Sequence, residues 1–178
     1  MDPFDDRDHL DALEGMDHRI LSAIRACGAD PRVGGAARAL SWAGEHGGLW
    51  LAAGLAGAAV DSARRGAWLR ATALVASAHV VSMGVKRLVR RPRPAHVDPP
   101  VRTAGRHSFP SSHATSATAA AVAFGVLGAR AVPPLAAAMC LSRLVVGVHY
   151  PSDVAAGALL GALTARAGAR WMRGGACD

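Results

Sequence analysis

The chain of 178 residues contains a single lysine: of its 20 basic residues, 19 are arginine and only Lys86 is lysine. A generic positive face in this composition would be written with arginine. The one ammonium therefore suggests a position where a compact charge is wanted rather than a planar fork. Aromatic residues make up only 4% of the chain. None is interleaved with the seven cations between Lys86 and Arg106, where Asp98 is the one acid. Nucleic-acid binding, which stacks bases on aromatics beside positive charge, is thereby disfavoured despite the net charge of +7. A phosphorylated lipid is the more economical partner. Cysteine is scarce too: Cys27, Cys140 and Cys177 are odd in number, far apart and without a CxxC spacing, which gives neither a disulfide framework nor a metal site. The opening residues, MDPFDDRDHLD, are acidic and polar and lack the basic and apolar regions of a cleavable leader.

What the chain has in abundance is small apolar residues. Hydrophobic residues make up 51%, mean hydropathy is +0.21, and Ala, Val, Leu and Gly run in long blocks rather than amphipathic stripes. Blocks of this kind suit helices that approach closely in lipid; a soluble alanine-rich bundle is the alternative. Five blocks are apparent: 36–60, interrupted by Glu45 and His46, then 68–89, 112–129, 131–148 and 153–169. Helices of roughly 17–25 residues span a hydrocarbon core of about 30 Å. The expectation is an all-α, integral membrane helical bundle with about five transmembrane helices, multi-pass in a bacterial plasma membrane. Leu10, Leu13, Ile20, Leu21 and Ile24 predict an amphipathic helix over about 8–27, lying on the membrane or against the bundle and ended by Gly28 and Pro31. This divides the chain into an N-terminal segment, 1–32, and a transmembrane domain, 33–178.

Counting crossings brings the chemistry together. If the second block ends near Lys86 on one face, the loop 90–111 lies there, the third block leaves from His113, and the fourth returns near Val148. His149 and Asp153 then share a face with Lys86 and His113. Basic residues are about equally divided between the two faces, so the positive-inside rule does not orient the chain.

The stretch Pro110-Ser111-Ser112-His113 opens the third helix, whose unpaired N–H groups favour an anion. Capping alone would explain Ser111 or Ser112, but it does not call for an imidazole. Arg143, deep in an apolar helix, is costly unless it is paired, snorkels or serves a ligand. His149 and Asp153, four apart, allow a carboxylate to fix one imidazole nitrogen and free the other to attack. Two histidines with separate tasks, set among Lys86, Arg93 and Arg143, suit phosphoryl transfer without a metal or other cofactor. Metal binding by His113, His149 and Asp153 is the rival. Arg87, Arg90 and Arg91 read as headgroup contacts, and His79, His96 and His107 as bland, with a headgroup contact left open for His107.

These residues resemble the signature of the type 2 phosphatidic acid phosphatase (PAP2) superfamily. Lys86-RLVRRP-Arg93-Pro94 fits KxxxxxxRP without a gap, and Ser142-Arg143-LVVGV-His149-YPS-Asp153 fits SRxxxxxHxxxD. Pro110-Ser111-Ser112-His113 fits PSGH except that Ser112 replaces glycine. The resemblance implies His149 as the nucleophile that becomes phosphohistidine, Asp153 orienting it, and His113 as the acid and then the base. It further implies that Lys86, Arg93, Ser111, Ser112 and Arg143 hold the phosphoryl oxygens. The substrate implied is a lipid phosphate or diphosphate. Candidates are decaprenyl-phosphoryl-5-phosphoribose, suggested by a composition like that of GC-rich bacteria, polyprenyl diphosphate, phosphatidylglycerophosphate and phosphatidate. A non-catalytic bundle binding anionic lipid, or a lipid-to-lipid phosphotransferase, are the other classes.

Overall fold

Asp30 shows how the chain punctuates itself. Its carboxylate accepts from the backbone N–H groups of Arg32 (2.7 Å) and Val33 (3.3 Å), with Pro31 in the first turn, so a new helix starts immediately after α1 (Pro3–Cys27) ends. The computed structural model describes residues 3–94, 105–169 and 171; His96 and Cys177 lie outside them. After α1 come α2 (Pro31–Ala43), α3 (Gly48–Val60), α4 (Arg65–Val89), α5 (Ser112–Gly125), α6 (Val132–Val145) and α7 (Pro151–Ala167). Among the described residues there is no strand, only an isolated bridge between Pro92 and His107. The all-α expectation holds.

The first apolar block is not one helix but two. It breaks at Glu45–Gly47, where His46 and Gly47 both take positive φ (53° and 75°). Gly47 suits that conformation because it has no Cβ to clash. The charged dipeptide that interrupts the hydrophobic run is thus the hinge between α2 and α3. By length and composition, one helical stretch among the described residues is able to cross a membrane, Ser62–Val89; Val132–Val145 is a shorter apolar helix. The third and fourth blocks are also shorter as helices than as apolar runs. α5 and α6 have 14 residues each, about 21 Å of helix. Pro133 and Pro134 sit in the first turn of α6 as expected.

At the centre is α5, packed by α4, α6 and α7. Its Ala114, Ala117, Ala119, Ala120 and Ala123 are fully buried. α7 meets it through Gly157 and Gly161, where an added Cβ would collide with the backbone at Ser111 and Thr115. Small residues on both partners let the two helices approach closely. The start of α7 is tied to the start of α5 as well, because Ser111 N donates to the Asp153 carbonyl (3.0 Å). Consequently the N-termini of two helices lie side by side. α1 packs against α6 and α7 through buried Asp17 and Leu21, while Leu13 and Ile20 stay exposed.

Candidate active site

Lys86 is in the last turn of α4, which stops at Arg90 in a left-handed conformation. The chain then runs extended past Arg93. A returning segment is pinned to it by Ser108, whose N–H donates to the Arg91 carbonyl (2.8 Å) and whose hydroxyl donates to the Pro92 carbonyl (2.9 Å). This strap holds the segment that carries Arg93 to the wall of a cavity of about 150 Å³. Lys86, Arg93, Ser112, His113, Arg143 and His149 all line that cavity. Six of the eight residues singled out from sequence therefore share one space. Asp153 and Ser111 are the other two: both are buried, and Asp153 lies behind His149.

His149 sits in the loop between α6 and α7 and is buried. Arg93 Nη1 approaches its Nε2 to 3.4 Å while donating to the Val148 carbonyl at 2.8 Å. A guanidinium has no acceptor, so this contact is favourable only if Nε2 carries a lone pair. The proton then belongs on Nδ1, which faces Asp153 Oδ2 at 3.6 Å. That separation is longer than a hydrogen bond, and Nδ1 has no other partner. Burial pushes the His149 imidazole down to about 3 against the pull of Asp153, with Arg143, Arg93 and Lys86 adding to the depression. The ring is thus neutral, with its free electron pair on the cavity side.

Positive charge on that side is left unspent. Neither Lys86 nor Arg143 forms an ion pair among the described residues, although both are buried. Arg143 Nε has no hydrogen-bond partner among the described residues. Burial also lowers the Arg93 guanidinium below its ordinary value, offset only in part by Asp153 and Glu45. Buried cations without counter-ions are unfavourable in an empty pocket, and an anion would relieve them. The Ser111 hydroxyl makes no capping bond and has no partner, although Ser111 is the N-cap of α5. Ser112 reaches only Met83 Sδ, at 3.7 Å. Capping therefore does not account for either serine.

His113 completes the cavity from the first turn of α5. Its Nε2 lies 3.1 Å from the Ser41 carbonyl, which can only accept, so the proton is on Nε2 and Nδ1 is bare in the neutral ring. Glu45 Oε2 stands 3.9 Å from the same nitrogen. A Cβ at Gly44 would come within 2.6 Å of Met139 Cε and 2.9 Å of His113 Cδ2, so the end of α2 packs closely on both side chains.

Sequence reasoning missed five lining residues, Glu45, His46, His79, Met83 and Gly105, of which the first three carry titratable groups. The signals were present. Glu45 and His46 interrupt an apolar block, and His79, Met83 and Lys86 follow helical spacing along one face of α4. His79 is no bland residue, since it lines the cavity with an unpartnered Nδ1. Arg91 needs a correction of another kind. It is not turned to a headgroup: its Nη1 donates to Asp153 Oδ1 and its Nη2 to Asp17 Oδ2, both at 2.9 Å.

Residues 67–175 match the PAP2 superfamily. The chain is 46% identical over 150 residues to the decaprenylphosphoryl-5-phosphoribose phosphatase of Mycolicibacterium smegmatis, covering 83% of each protein. It is 45% identical to the Mycobacterium tuberculosis protein of the same name, over 80% of this chain and 83% of that one. Among solved structures, it is similar to a transmembrane PAP2-type phosphatidylglycerolphosphate phosphatase from Bacillus subtilis. That match has a TM-score of 0.54 and 21% identity, covering 90% of this chain and 94% of that one. At that identity the likeness is one of fold.

Proposed function

This chain belongs to the PAP2 superfamily, and from that premise we propose that it is a membrane phosphatase removing the phosphomonoester of a polyprenyl-linked sugar phosphate, decaprenylphosphoryl-5-phosphoribose. The observation that carries the reaction type is the neutral His149 Nε2 facing a cavity of uncompensated cations. The substrate rests on the 46% identity across most of both chains. A phosphate seated between Lys86, Arg93 and Arg143, with the first amides of α5 and the Ser111 hydroxyl beside it, presents its phosphorus to His149. His113 takes up a proton on its bare Nδ1 as the phosphate anion binds. Nε2 of His149 then attacks, the bond from phosphorus to the ester oxygen breaks, and His113 gives that oxygen the Nδ1 proton and returns to neutral. Asp153 holds the Nδ1 proton of His149 as positive charge grows on that ring. His113, now the base, takes a proton from water as the water oxygen bonds to phosphorus. The P–N bond breaks, releasing inorganic phosphate and restoring His149.

Glu45 supports an alcohol rather than a second phosphate as leaving group. A carboxylate close to His113 accepts hydrogen bonds from sugar hydroxyls and repels a directly attached phosphate. In a bilayer, the five apolar blocks cross as a bundle with α2 and α3 sharing the first crossing at their hinge. Residues 1–32 form an accessory segment on the 33–178 phosphatase domain, in the plasma membrane of a bacterium.

The test is free-phosphate release by the purified full-length protein from a panel of lipids, with and without chelator. The panel comprises decaprenylphosphoryl-5-phosphoribose, polyprenyl diphosphate, phosphatidylglycerophosphate and phosphatidate. The expected result is the highest kcat/KM on the first, lost in His149→Ala. Higher kcat/KM on another lipid overturns the substrate. No release from any lipid, or transfer to a second lipid without free phosphate, overturns the reaction.

A further inference from the structure

Behind His149, on the side away from the cavity, a second charged cluster joins three distant parts of the chain. Asp153 has no exposed surface. Its two oxygens are used differently: Oδ2 accepts from Tyr150 N at 2.9 Å and faces His149 Nδ1, while Oδ1 accepts from Arg91 Nη1. The same Nη1 also donates to the Ser152 hydroxyl at 2.7 Å. Arg91 Nη2 donates to Asp17 Oδ2 of α1. Asp17 in turn accepts from Ser152 N through Oδ1 (3.0 Å) and from the Ser152 hydroxyl through Oδ2. The guanidinium lies over the Tyr150 ring, 4.3 Å from its centre.

We propose that Arg91 is a positioning residue of the reaction and that Asp17 is its anchor, so that α1 holds Asp153 in the orientation that serves His149. The inference rests on the reading of His149 as nucleophile. Two features carry it beyond a structural salt bridge. A planar fork with one nitrogen on Asp153 and the other on Asp17 fixes the rotation of the Asp153 carboxylate, and hence the direction of Oδ2. The 3.6 Å gap from Oδ2 to Nδ1 must also close as the ring gains charge, and small displacements of Oδ2 change that hydrogen bond steeply. Without Arg91, two buried carboxylates, Asp17 and Asp153, would share one space with no cation between them, and Oδ1 would turn to find a donor. Asp17 lies outside the stretch matched to the family, 67–175. The functional unit of this chain thus reaches back to α1.

The experiment compares the full-length wild type with Arg91→Ala, Arg91→Lys, Asp17→Asn and Asp17→Asn/Arg91→Ala in detergent. It measures kcat, KM, melting temperature and the rate of phosphohistidine formation after acid-free quenching. Arg91→Ala is expected to lower kcat and the rate of phosphohistidine formation about 30- to 100-fold while KM stays within about threefold, because the phosphate-holding cations are untouched. Arg91→Lys recovers only part of this, since one ammonium does not replace the fork. Asp17→Asn costs about three- to tenfold, and the double variant is no worse than Arg91→Ala alone. If Arg91→Ala does not fold, Arg91→Lys and Asp17→Asn decide. Wild-type kcat in those folded variants, or loss appearing only in KM or only in melting temperature, overturns the inference. Full activity in His149→Ala would instead sink the reading beneath it.

Discussion

Arg91 and Arg93 are separated by one proline, yet they live in opposite electrostatic conditions on the two sides of His149. Arg91 is spent: it bridges two carboxylates, and although burial pulls its guanidinium down, hydrogen bonds with Asp17 and Asp153 leave it above its ordinary value. Among the described residues Arg93 binds only backbone carbonyls and a ring nitrogen, and burial leaves it below its ordinary value. Lys86 and Arg143 resemble Arg93 in lacking a carboxylate partner among the described residues. A buried cation whose charge is fully answered within the chain acts as scaffold. One whose charge is unanswered is held for a ligand, at some cost to the fold.

The largest effect expected belongs to the ring between them. His149→Ala should lower phosphate release by at least about 10³-fold, with no covalent phosphoenzyme, because the group proposed to form the P–N bond is gone. Release within tenfold of wild type would mean that the unspent charge serves binding alone. Next is Arg143→Met, which removes an unanswered cation and keeps an unbranched apolar stem. It should cut kcat/KM about 10²-fold while raising unfolding free energy by about 1–2 kcal/mol. Arg91→Met should lower both. If Arg143→Met proves less stable than wild type, Arg143 is part of the scaffold and the contrast fails. Glu45→Gln sharpens the ligand side further. It should raise the kcat/KM ratio of diphosphate to sugar monoester by about tenfold in a two-substrate assay, through removal of a repulsive charge. An unchanged ratio would leave the alcohol preference to other groups.

Much of the unspent side was legible in the sequence, since each cation there interrupts an apolar block or sits at a fixed distance from a proline or histidine. Lys86, Arg143 and His149 are costly where they stand, and cost is visible in a string of letters. The spent side was not. Asp17 belongs to a helix full of acids, and Arg91 to a run of arginines. Nothing in either segment says that they meet across 74 positions, because pairing removes the very anomaly that would mark them. The hinge at Glu45–Gly47 fell between these cases. Its charges were noticed as an interruption, but periodicity does not reveal that His46 and Gly47 take positive φ and turn Glu45 towards His113. Helix length was the least readable feature. Apolar composition runs past the point where α5 and α6 end, so block lengths overstate crossings.

The smallest effect concerns the balance between the two sides as read through pH. His149 in the folded chain titrates near 3, against 6.5 when unfolded. Between those values the unfolded chain binds a proton that the folded chain does not. Stability is therefore fully present above about pH 6.5 and lost as pH falls, by roughly 1.4 kcal/mol per unit from this group. Lowering the pH from 6.5 to 5 should then cost the wild type on the order of 2 kcal/mol more than His149→Gln, measured as unfolding free energy in detergent. The main cause is burial of the ring, and a proton on Nε2 would in addition face the donating guanidinium of Arg93 with no acceptor between them. Equal pH slopes in the two proteins would mean that Asp153 closes on a charged ring in the free protein. The proposed nucleophile would then be protonated at rest, answered from behind like Arg91, and the line between spent and unspent charge would have to be redrawn through His149 itself.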